Sequence, residues 1–236
     1  MTPTSRPNRI FASVATVVTA ATFLVACGPG SAGPVSAPPV GNHGGHGTET
    51  SAPAERPTRS DLRAGMRELW SDHMQWTYAT VDSFFHNPSA VQPTLDRLLR
   101  NQSDIGNAIK PFYGTKAGDA LTALLTAHIN GAVPVLQAAQ SGVQAALMSA
   151  LDAWYANAKE IADFLSTANP KNWPTSATEP MMKGHIDQTT AYATDLLKGD
   201  YASAIEHYDE AYDHMMMLAD TLAQGVAAQF PNKVRR

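Results

Sequence analysis

From Ser60 onward the apolar residues of this chain recur every three or four positions, and Pro or Gly breaks the rhythm at intervals. That spacing places apolar side chains on one face of a helix, so each unbroken stretch reads as an amphipathic helix. The first opens at Ser60-Asp61 as its N-cap and aligns Leu62, Met66, Leu69, His73, Trp76 and Thr80 until Asn87-Pro88 stops it. The second runs from near Ser89 to Gly114 with Pro111 disturbing its last turn, and the third starts near Lys116, with Gly131 and Pro134 expected to kink it. A fourth follows Gly142 and closes at Asn169-Pro170; a fifth carries Met182, His185, Thr189 and Tyr192 and ends at Gly199. Asp200 caps the sixth, where Ile205, Tyr208, Tyr212, Met215 and Ala219 share one side before Phe230-Pro231. No alternating run of β-branched residues competes, and short links favour antiparallel neighbours. The spacing therefore predicts an all-α, up-and-down bundle of six helices over residues 60–232.

The residues before the bundle have a different composition. Arg6 and Arg9 are followed by an uncharged run, Phe11 to Ala26, that closes on Leu24-Val25-Ala26-Cys27. A basic start, an apolar stretch and small residues before a cut site mark an export signal. The ending resembles the bacterial lipobox, which implies that the chain is cut before Cys27 and that the thiol carries acyl chains such as palmitate. Residues 1–26 are thus expected to be a lipoprotein signal peptide, with Cys27 anchoring the mature chain on the extracytoplasmic side of the cell membrane or envelope. An uncleaved transmembrane helix wants about 20 apolar residues, and Gly28-Pro29-Gly30 ends this run early. The chain has 1 cysteine, which cannot form an internal disulfide, and the lipid accounts for it.

Residues 27–59 after the leader are dominated by Gly, Pro, Ser, Ala and Thr, too little apolar surface to offset the entropy of ordering, so they read as a disordered linker. Within it, His43 and His46 form at most a loose metal site. Loss of the leader removes Arg6 and Arg9 and no acid, so the formal charge of −4 becomes −6. That mild acidity argues against a nucleic-acid partner, because duplex binding needs a concentrated basic face. The membrane, through its lipid anchor, is the one partner the sequence names.

The informative residues interrupt the apolar stripes. His73, His128 and His185 occupy core positions of the first, third and fifth helices, which run the same way in an up-and-down bundle. At 1.5 Å per residue His73 and His128 lie about 18 Å along their helices and His185 about 10 Å, while Asn101 and Asn157 reach similar depths from the returning helices. His214 falls at a similar depth but about 100° off the Met215 stripe, and Asp104 lies on the edge of the layer. Buried polar groups cost roughly 1 to 3 kcal/mol each if unpaired, so the layer either satisfies itself, with fixed waters, or holds a ligand. Three histidines with a carboxylate suit zinc, copper or iron, with Asn101 and Asn157 orienting the rings from behind. The histidines show none of the His-x-x-x-His, Glu-x-x-His or His-Glu-x-x-His spacings of known helical metal sites.

Three functions follow: a tethered protein binding a metal ion or small polar ligand in the His-containing core; a structural or interaction lipoprotein with a hydrogen-bonded core and no ligand; and a metal-dependent redox enzyme. No Gly-x-Ser-x-Gly elbow or Gly-rich phosphate loop is present, so no catalytic residue is assigned.

Leu69-Trp70-Ser71-Asp72-His73, Asn101-Gln102-Ser103-Asp104, Leu124-Leu125-Thr126-Ala127-His128, Trp154-Tyr155-Ala156-Asn157 and Asn169-Pro170-Lys171-Asn172-Trp173 together resemble a family of bacterial helical proteins, some with transferase-like names. The likeness covers about residues 60–232 and implies a helical domain with a shared polar core, without implying a reaction.

Overall fold

The computed structural model describes residues 56–235, which form α1 (Arg59–His86), α2 (Pro88–Tyr113), α3 (Thr115–Ser141), α4 (Gln144–Ala168), α5 (Thr175–Lys198) and α6 (Tyr201–Gln229). The export signal, Cys27, the linker through residue 55 and His43 and His46 lie outside the described residues. Among the described residues there is no strand, and one isolated bridge joins Thr58 to Arg235.

The first cap falls two residues earlier than the sequence suggests. Thr58 accepts from the backbone N–H of Asp61 at 3.1 Å, and the Asp61 carboxylate accepts from the Thr58 N–H at 2.8 Å. This reciprocal box satisfies two orphan donors, which places Asp61 in the first turn instead of at the cap. Gly142 (φ 69°) and Gly199 (φ 74°) end α3 and α5 in the left-handed region, where a side chain would be strained. Pro111 and Pro134 are both contained within their helices.

Cross-helix contacts fix the direction of every helix. Gly106 meets Gly118 and Thr122, and Lys110 pairs with Asp119, so α2 and α3 run antiparallel. Leu124 pairs with Asn157 and Gly131 with Trp154, which reverses α4 against α3. Thr178 reaches Ala162 while Tyr155 reaches Asp187, and Asp195 meets His207 while Met181 meets His214, which turns α5 and then α6. Asp220 on α6 pairs with Arg63, and Tyr201 stacks on His86, closing the ring against α1. α1, α3 and α5 are therefore parallel, and they also touch one another inside the ring.

The core is drawn from Leu62 through Val234, so the bundle contains its own hydrophobic interior. Ile205, expected inward, is 54% exposed instead. It lies in the first turns of α6, where Ala204 takes the buried position.

Candidate functional site: a histidine row in the bundle core

The three parallel helices bring His73, His128 and His185 to the middle of the bundle, each no more than 2% exposed. Ring centroids lie 5.6 Å apart for His73 and His185 and 5.7 Å for His128 and His185. Trp70 packs on His73 at 5.4 Å, and Trp154 on His128 at 5.2 Å. Five rings thus run in unbroken contact through the core, Trp–His–His–His–Trp.

Neighbouring amides set the proton on two of the imidazoles. Asn157 Nδ2 donates to the Leu124 carbonyl at 3.2 Å, so its Oδ1 faces His128 and accepts from Nδ1 at 2.9 Å. His128 then carries its proton on Nδ1 and a lone pair on Nε2. Asn101 Nδ2 donates to the Leu69 carbonyl at 2.9 Å, and its Oδ1 accepts from Gln102 Nε2 at 3.2 Å. Gln102 Nε2 also donates to the Leu98 carbonyl at 2.7 Å and lies 3.4 Å from His73 Nδ1. The Leu98 carbonyl therefore fixes the Gln102 amide with its nitrogen toward His73; its two hydrogens go to Leu98 and Asn101, and because that nitrogen cannot accept, the proton of a neutral His73 is favoured on Nε2. One ring offers a donor and the other an acceptor.

His73 Nε2, His128 Nε2 and His185 Nδ1 are buried without a hydrogen-bond partner, as are Thr189 Oγ1 and Thr190 Oγ1. The same five residues line a cavity of about 70 Å³ whose other walls include Thr77, Thr80, Val81, Leu98, Ile129 and Leu136. None of its lining residues is Asp, Glu, Lys or Arg. Burial, reinforced by the His128 ring, pushes His73 down to about 3; burial alone pushes His128 down to about 4, against the Asn157 bond. His185 is held well below its ordinary value by burial and by the neighbouring histidines. All three are neutral at pH 7.

The remaining candidates separate from this cluster. Asp104 is exposed on α2. His214 is half-buried; its Nε2 donates to the Met181 carbonyl at 2.9 Å, and its ring seats over Gly184. Asn101 is fully buried but reaches His73 only through Gln102. Among the described residues no three His, Cys, Asp or Glu side chains are disposed to hold a metal ion.

No family model, curated protein or solved structure matches this chain. Gln102, Thr189 and Thr190 belong to it although the sequence stripes did not single out Gln102 or Thr190. Gln102 had a signal: it lies four residues after Leu98 and three before Ile105, on the buried stripe itself.

Proposed function

We propose that this protein is a lipid-anchored, extracytoplasmic binding protein that holds a small, uncharged, hydrogen-bonding ligand beside His73, His128 and His185. The observation that carries this reading is the set of buried ring nitrogens and threonine hydroxyls left without partners around one cavity. Each such group costs roughly 1 to 3 kcal/mol unless something bonds it. A donor on His73 and an acceptor on His128 suit a molecule that has both, such as an amide or an alcohol. A charged ligand would enter a site with neutral imidazoles and no countercharge, which burial penalises heavily. A cavity of about 150 Å³ takes benzene, so this one, at about 70 Å³, suits a molecule of fewer heavy atoms or a few waters.

The test pairs acetamide with acetate, two molecules of like shape and different charge. Titration followed by imidazole NMR is expected to shift the His73 and His128 resonances with acetamide and leave them unmoved with acetate. His73→Leu/His128→Leu is expected to abolish the acetamide response of the remaining cavity imidazole, His185. Equal responses to both probes, or none to acetamide, overturn the reading. A stoichiometric transition metal in elemental analysis of the purified protein replaces it with the metal reading. If the apolar variant is more stable and retains function in the cell, the layer is structural.

The anchor has its own test. Cys27→Ala is expected to leave the precursor unacylated and abolish its acyl-dependent membrane retention. A mature wild-type chain whose Cys27 thiol is unmodified in mass spectrometry removes the lipoprotein reading.

A further inference from the structure

The charges of the bundle are sorted along its axis. The starts of α1, α3 and α5 and the ends of α2, α4 and α6 share one end, and there Arg56, Arg59, Arg63, Arg67, Lys116 and Lys233 gather. Arg63 and Arg67 both grip the single carboxylate of Asp220, which leaves one positive charge over. Arg56 Nη1 donates to the Asn232 carbonyl at 2.7 Å and Lys233 Nζ to the Pro111 carbonyl at 2.8 Å, bonds that do not neutralise either cation. Asp61 in the α1 cap, Asp119 on Lys110, Glu68 beside Arg67, and Glu160, Asp163 and Glu179 at the α4 end and α5 start stand against this set, and with Lys110 and Arg235 the cations outnumber them. The opposite end carries Asp82, Asp96, Asp200, Glu206, Asp209 and Glu210, with Arg97 and Lys198 as its cations. It also exposes Val143, Met148, Tyr201 and Ile205.

The basic end is also where the chain arrives. Arg59 N–H donates to the Arg235 carbonyl at 3.1 Å and Arg235 N–H to the Pro57 carbonyl at 2.8 Å, so the α1 entry and the tail after α6 are stitched together there. Arg56, the first described residue, therefore lies at this end.

We infer that the basic end is a docking surface for an anionic lipid bilayer, so that the bundle stands on the membrane with its acidic, partly apolar end turned outward. The inference uses the membrane part of the reading above for its geometry, but the surface acts without the acyl chains. Overall charge alone points the other way, since an acidic chain is repelled by an anionic surface at long range. Within a screening length of about 8 Å only the nearer end is felt, and that end is cationic.

The experiment uses the chain from residue 27 to 236 with Cys27→Ala, which retains the whole core and lacks both leader and lipid. Co-sedimentation is measured with vesicles of phosphatidylcholine alone and with vesicles containing phosphatidylglycerol. Binding is expected only to the second, weakening as salt rises. Each cation near such a surface contributes about fivefold in affinity, so Arg59→Glu/Lys116→Glu/Lys233→Glu is expected to lower binding at least about a hundredfold with an unchanged helical spectrum. Asp209→Lys/Glu210→Lys at the far end, which leaves the basic end intact, keeps binding to within a few fold and controls for net charge. Equal binding by the wild-type chain and the triple variant, binding to phosphatidylcholine as strong as to phosphatidylglycerol, or no binding to either overturns the inference. Because the lipid is absent throughout, these outcomes do not depend on whether Cys27 is acylated in the cell.

Discussion

Nδ1 of His128 donates to Oδ1 of Asn157 at 2.9 Å, and this bond sets which nitrogen of the ring keeps its lone pair. The amide is itself held by the Leu124 carbonyl, so the orientation passes from backbone to amide to imidazole. His73 is set the opposite way by Gln102, and the pair offers complementary hydrogen-bonding groups from helices that share one direction.

Asn157→Leu tests that chain of bonds. The variant removes the acceptor from His128 and is expected to lose about 1 to 2 kcal/mol of stability in denaturant unfolding, the cost of an unmatched buried donor. In imidazole NMR the wild-type His128 is expected to be protonated on Nδ1, and the variant to show a mixture of tautomers. A wild-type ring protonated on Nε2 contradicts the assignment.

The buried histidines also predict how stability responds to acid. In the unfolded chain each titrates near 6.5, whereas His73 is pushed down to about 3 and His128 to about 4 in the fold, with His185 lowered in the same sense. Between those values the unfolded state binds more protons, so the stability is fully present above about pH 6.5 and is lost as pH falls toward the folded values. The slope is up to about 1.4 kcal/mol per pH unit for each histidine. Chemical denaturation at a series of pH values is expected to show this loss beginning above the carboxylate range, and His73→Leu/His128→Leu/His185→Leu to flatten it. A variant with an undiminished slope between pH 6 and 5 contradicts the account.

The six helices and the inward position of the three histidines were legible because both depend on one-dimensional periodicity. The stripe through Met182, His185, Thr189 and Tyr192 is buried as its spacing suggests. What periodicity does not carry is rotation and lateral neighbourhood. Ile205 satisfies the α6 spacing yet faces solvent, because the stripe drifts around the first turns and Ala204 packs there. Asp104 matched the layer in depth but lies on the outer side of α2, since depth along an axis says nothing about direction around it. The role of Gln102 depends on the Leu98 carbonyl and on Asn101 beside it, a bond pattern that no spacing encodes. The sorting of charge between the two ends becomes visible only once the helix directions are known.

Trp173, between α4 and α5, is a loop residue with a core role. Its Nε1 donates to the Thr221 carbonyl at 3.1 Å, and a Cβ added at Gly225 would lie 2.0 Å from that nitrogen. Gly225→Ala therefore cannot keep the indole in place. Displacing it opens space and strains the α5 entry, and overpacking of this kind typically costs about 1 to 3 kcal/mol, occasionally more. The expected outcome is a lowered thermal midpoint with a red-shifted tryptophan emission. Gly65→Ala serves as the control, because a Cβ there meets nothing within 4 Å, and is expected to leave both unchanged or to raise stability slightly through helix propensity.

Asp220 links the fold to the basic end. Arg63 holds its carboxyl well below the usual carboxylate range, with Arg67 adding to the effect. Both arginines are exposed, so the pairs are screened and their loss is expected to cost little stability. Asp220→Asn keeps the shape of the side chain while removing one negative charge from between two guanidinium groups. The folded protein should melt only slightly earlier, whereas its affinity for phosphatidylglycerol vesicles should rise by about fivefold, the contribution of one unit of charge at such a surface. The two readouts move in opposite directions only if the basic end meets the lipid. A variant that melts earlier and binds vesicles no better shows that Asp220 serves the α1–α6 contact alone and that the arginines do not lie at the membrane.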